Sequence, residues 1–147
     1  MLQAESSAEI GRPPETVFSF LAEVDNLPLW ATGVVEANQL SPGPLKEGTE
    51  LEHVLSFLGK RFTARFETTQ YEPNKRLAFT TISGPIHLET VITLQPADGV
   101  TTVRYMALGE TRGFFKVAEP VLVKIATRQL QSSLGNLKDL LEAPPGE

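Results

Sequence analysis

The stretch VLVKIATRQLQSSLGNLKDLLEA, residues 121–143, decides the fold. Leu122, Ala126, Leu130, Leu134, Leu137 and Leu141 recur at spacings of four and three, the period of one helix face. About 22 residues at ~1.5 Å each make a rod near ~33 Å, long enough to lie across a whole sheet. Just upstream, residues 101–108 alternate in the manner of a half-buried strand, and a glycine-bounded break separates that strand from the helix. A helix of this length after a run of strands is what a curved sheet closes upon.

Working outward, Ala97-Asp98-Gly99, Gly84-Pro85, Pro73-Asn74-Lys75 and Gly59-Lys60 carry turn chemistry. Between them, residues 100–109, 86–95, 76–83 and 61–68 read as strands. Leu51, His53, Leu55 and Phe57 alternate against Glu50, Glu52, Val54 and Ser56 in another, and residues 34–40 form one more. Hairpin-length links make this series an antiparallel meander. Residues 2–10 supply a further strand. Pro13-Pro14 then opens a helix that buries Val17, Phe18, Phe20 and Leu21, and Asp25-Asn26 caps a short turn through Leu27 to Trp30. The expectation is an α+β fold: a seven-stranded curved antiparallel sheet around a long C-terminal helix, with two short helices between strands 1 and 2.

The chain has 147 residues, 41% of them hydrophobic and 21% charged, which is ordinary globular composition. One domain over residues 1–143 is expected, with residues 144–147 a flexible tail. A net charge of -5 without a dense Lys/Arg cluster argues against a nucleic-acid partner. The absence of cysteine excludes disulfides, thiol catalysis and Cys-ligated metals. With two histidines and no clustered carboxylates, neither a metal nor another cofactor is expected. No apolar run reaches bilayer-spanning length, and the first residues lack a leader pattern. A cytoplasmic protein without stable membrane insertion is expected, as a monomer or homodimer.

The order and spacing of several segments resemble a known family. They are Asp25-Asn26-Leu27-Pro28-Leu29-Trp30, Gly43-Pro44 to Gly48-Thr49, Tyr71-Glu72-Pro73 to Arg76-Leu77, Ser83-Gly84-Pro85, Asp98-Gly99, and Arg112-Gly113 to Glu119-Pro120 to Leu137-Lys138. Over residues 3–142 they are similar to the polyketide cyclase/dehydrase-like branch of the START and birch-pollen-allergen (SRPBCC) superfamily, the helix-grip fold. The resemblance implies an apolar cavity between sheet and helix that takes hydrophobic small molecules such as lipids, sterols, quinones or polyketides. It does not imply catalysis, because the branch has no universal catalytic motif.

His53 is the sharpest polar candidate. By alternation it shares a face with Leu51, Leu55 and Phe57 and points inward, where a proton shuttle and a plain core histidine are both open readings. Tyr105 shares the inner face with Val103 and Ala107, where its phenol would orient a carbonyl, donate a proton or simply satisfy itself in the fold. Thr68, Thr81 and Thr90 offer further hydroxyls. His87 and Glu89 read as a solvated pair. The expected ligand-binding wall comprises Trp30, Leu55, Phe57, Phe62, Phe66, Phe79, Leu88, Tyr105, Phe114, Val121 and Ile125. Trp30 is placed at the cavity mouth. Residues 109–120 read either as a gate carrying Phe114 and Phe115 or as a packed helix start, with a kink or a helix start at Pro120. Lys124, Arg128 and Lys138 are expected in solvent, the alternative for Arg128, beside the apolar stripe, being contact with a ligand carboxylate.

Three functions are consistent with this pattern. The first is a carrier or sensor that binds a hydrophobic small molecule, such as a lipid, polyketide or other aromatic compound, in the cavity. The second is a cyclase, aromatase or dehydratase using His53 and Tyr105. The third is a protein-interaction module with a filled interior.

Overall fold

A computed structural model describes residues 2–57, 59–84, 87–110 and 114–143, with the backbone alone at Phe114 and Phe115. In chain order the elements are β1 (Leu2–Ile10), α1 (Pro14–Ala22), a 3-10 turn (Val24–Asn26) and α2 (Leu27–Trp30). Next come β2 (Val34–Gln39), β3 (Glu50–Phe57), β4 (Lys60–Glu72), β5 (Arg76–Ser83), β6 (His87–Ala97) and β7 (Val100–Glu110). Last are α3 (Phe114–Val117) and α4 (Glu119–Glu142).

The seven strands form one antiparallel sheet in the order β1-β7-β6-β5-β4-β3-β2. β2 to β7 are a meander of neighbours, and β1 completes the sheet by pairing with β7 from Leu2↔Gly109 to Ile10↔Thr101. Register shifts between Val34 and Glu36 in β2, and at Arg65/Phe66 and Thr68/Gln70 in the β4–β5 pair, add bend where a flat sheet could not wrap a helix. This is the helix-grip architecture. The two short helices precede β2 as expected.

α4 begins at Glu119 with Pro120 in its first turn, and Ala118 separates it from α3. Pro120 therefore starts a helix and does not kink one, because its missing N–H falls where no intrahelical partner exists. Leu122, Leu130, Ser133, Leu134 and Leu137 form its buried side. At its far end Ile10, Val103, Leu134 and Leu137 make a solid core with Leu21 and Val17 of α1. That end is fastened by the Gly11 amide donating to Glu142 Oε2 at 2.9 Å and Lys138 Nζ donating to the Glu9 carbonyl at 2.6 Å. Lys138 is thus engaged with the fold and with Glu142, not simply solvated as expected. Asn26 makes no side-chain cap; its amide donates instead to the Phe20 carbonyl, tying α2 back to α1.

No helix among the described residues is long and apolar enough to cross a membrane. The expected tail at 144–147 and the segment Arg112-Gly113 lie outside the described residues, as do the side chains of Phe114 and Phe115 on which the gate reading depends.

Candidate functional site

Towards the N-terminal half of α4 the core opens into a cavity of about 240 Å³ between the helix and the inner face of the sheet. The sheet's alternation builds the wall. His53, Leu55 and Phe57 of β3 stand beside Phe62, Ala64 and Phe66 of β4, in register as His53↔Ala64 and Leu55↔Phe62. A second row crosses the floor as Phe79↔Thr90 and Thr90↔Ala107, and Ile92↔Tyr105 adjoins it. Leu122, Ala126 and Leu130 of α4 roof the space, and Leu2, Leu88 and Gly109 surround its outer end.

Small side chains keep this volume empty. Ala64 opposite His53, Ala107 in the floor and Ala126 in the roof each stand where a leucine would project inward. Sequence pattern marks all three as inward positions, but it does not separate an alanine that packs from one that leaves room.

The α2–β2 turn forms the inner wall and is held by α4. The Thr32 amide donates to Ser133 Oγ at 2.8 Å, Thr32 Oγ1 to Ser132 Oγ at 2.8 Å, and Asn136 Nδ2 to the Trp30 carbonyl at 3.3 Å. Gly33 closes the turn at φ +96, where a Cβ would meet the Ser56 carbonyl at 3.3 Å and Gln129 Nε2 at 3.4 Å. Only glycine suits both the backbone and the space there.

Pinned in this way, Trp30 is 2% exposed and stands deep in the site, 5.6 Å from the Tyr105 ring. This corrects its placement at the mouth: its helix turns inward before β2, so the indole becomes part of the inner wall.

Two further corrections concern α4. Val121 is 59% exposed, and neither it nor Ile125 belongs to the wall. Each lies one residue, about 100° of helix turn, from the Leu122–Ala126–Leu130 stripe that does. Gln129, Ser133 and Glu110 line the cavity without having been singled out from sequence, since polar residues carry no core signal. Arg128 and Lys124 are exposed, as expected. His87 is also exposed, while Glu89 is half-buried; Thr81 Oγ1 accepts the Leu88 amide at 2.8 Å.

The two buried titratable groups of the site, His53 and Tyr105, are uncharged at neutral pH. Burial lowers His53 from 6.5 to about 4, so its imidazole stays neutral, its ring 4.8 Å from that of Phe66. Burial likewise raises Tyr105 from 10.0 to about 12, leaving it a phenol. Trp30 Nε1 and His53 Nε2 are buried with no hydrogen-bond partner, as is Thr68 Oγ1 beyond the wall. An unpaired buried polar atom costs ~1–3 kcal/mol, so each is a place where a ligand or water would be welcome. Glu110, exposed at the rim, is the one charged side chain in the wall among the described residues.

A family model described as polyketide cyclase/dehydrase and lipid transport matches residues 1–142. No curated protein matches the chain. Among solved structures it is similar to a START superfamily protein from Mycobacterium smegmatis, with a TM-score of 0.82 at 16% identity over 95% of this chain and 97% of that one. It is also similar to the Aha1 dimer from Colwellia psychrerythraea, at TM-score 0.70 and 21% identity over 99% and 100%. The di-domain ARO/CYC protein BexL of the BE-7585A biosynthetic pathway gives 0.74 at 18% identity, over 94% of this chain and 45% of that one. At such identities the likeness is one of fold.

Proposed function

The chain belongs to the polyketide cyclase/dehydrase and lipid-transport family, and from that premise we propose that it binds a hydrophobic small molecule inside the grip of α4, as a carrier or sensor. The observation that carries this reading is the empty volume of about 240 Å³, walled by aromatic and aliphatic side chains. It falls just below the ~300–1,000 Å³ usual for drug-sized ligands, which favours a compact occupant over a long acyl chain. A ligand of about a dozen non-hydrogen atoms at ~0.5 kcal/mol each binds with ~6 kcal/mol, a Kd of tens of micromolar. Uptake of aminoanthracene, an uncharged fluorescent probe, tests the proposal: saturable binding at one site per chain supports it, and no enhancement up to the probe's solubility opposes it.

A cyclase or dehydratase is the second reading, favoured by the presence of His53 and Tyr105 in one cavity. It ranks lower because a histidine held near 4 is a weak base for enolising a carbonyl at neutral pH. His53→Ala is therefore expected to leave aminoanthracene binding nearly unchanged. An interaction module with a filled interior does not fit the void.

A further inference from the structure

We propose that this cavity selects compact, uncharged ring compounds bearing a carbonyl or hydroxyl oxygen and rejects carboxylates of the same size, a specificity that rests on the cavity being the ligand site. The argument is one of missing counter-charge. Among the described residues no lysine or arginine lines the wall, and Glu110 at the rim adds a negative charge on the approach. A carboxylate entering here would leave water with no lysine or arginine of the described wall to meet it, a desolvation that apolar contact does not offset. Lys124 and Arg128 lie on α4 but are exposed and outside the wall.

The same wall is not indifferent to oxygen. His53, Tyr105 and Thr90 bring an imidazole, a phenol and a hydroxyl to one space. The Tyr105 hydroxyl has no hydrogen-bond partner among the described residues. Thr81 is already committed to the Leu88 backbone. A neutral oxygen that accepts from Tyr105 gains a hydrogen bond, whereas a hydrocarbon of equal size leaves that donor unused.

Competition against bound aminoanthracene tests the selectivity with two bicyclic compounds of matched size, acetylnaphthalene and naphthoate, at neutral pH. Acetylnaphthalene is expected to displace the probe at ~10-fold or more lower concentration than naphthoate. Equal or stronger displacement by naphthoate overturns the selectivity while leaving the cavity as ligand site intact; failure of aminoanthracene itself to bind overturns both. Gln129→Lys places a cation on the wall from a half-exposed helix position, and it should narrow the ratio by ~5-fold or more through naphthoate alone. An unchanged ratio in that folded variant would contradict the counter-charge argument. Weaker displacement by acetylnaphthalene in Tyr105→Phe, with aminoanthracene uptake retained, identifies the phenol as the oxygen's donor; undiminished displacement there would contradict that part.

Discussion

Trp30 and Tyr105 meet with ring centroids 5.6 Å apart and planes inclined at 53°, joining the short helix after α1 to the last strand of the sheet. The contact ties the inner wall of the cavity to its floor, with Asn136 of α4 holding the Trp30 carbonyl from behind. Trp30→Ala would open a void against Tyr105, and a loss of ~3–5 kcal/mol is expected in urea unfolding. Because Trp30 is the chain's single tryptophan, its emission is expected to be blue-shifted and to change as the cavity fills.

His53 sets a pH dependence. Its folded-state value of about 4 lies below the ordinary 6.5, so between these limits the unfolded chain binds the proton more readily. Stability is then complete above the unfolded value and falls as pH drops from about 6.5 to about 4, by roughly 3 kcal/mol. In His53→Leu this part of the slope should vanish. Denaturant unfolding of both proteins across that range checks it; parallel pH profiles would refute a neutral buried imidazole.

Ala126→Leu should fill the roof of the cavity from a helix position that accepts leucine readily. Aminoanthracene uptake is expected to drop by ~10-fold or more while the unfolding midpoint stays the same or rises, since added contacts replace empty space. Retained binding would place the probe elsewhere.

Ser133→Ala removes the acceptor for the Thr32 amide and frees the turn that carries Trp30. A loss of ~1–2 kcal/mol in stability is expected, with weaker probe binding and an altered Trp30 emission. Ser132→Ala, which breaks only the exposed hydroxyl pair with Thr32, should do much less.

The fold was legible because its longest elements keep their periods. Residues 2–10 and 76–83 match β1 and β5 residue for residue, and the four-three spacing of leucines runs through α4 to Glu142. Alternation carries β4 only to residue 68, but the strand extends to Glu72, because the irregular pairing near Thr68 and Gln70 interrupts the alternation. In the site, alternation placed His53 and Tyr105 correctly in the wall, since a strand's faces follow from parity alone. What alternation cannot supply is depth along the cavity or the space between elements. The sequence therefore puts Trp30 at the wrong end, and it puts Val121 and Ile125 in the wall one position off the contacting stripe. The alanines that create the hollow carry no signature of their own; only the side chains across from them show that nothing fills the gap.

The most direct test is a methyl NMR titration of the alanine-labelled protein with acetylnaphthalene. Intermolecular contacts from the ligand ring to the methyls of Ala64, Ala107 and Ala126, on three separate elements, are the predicted result. Contacts confined to exposed methyls, with those three unmoved at saturating ligand, would contradict an internal binding site.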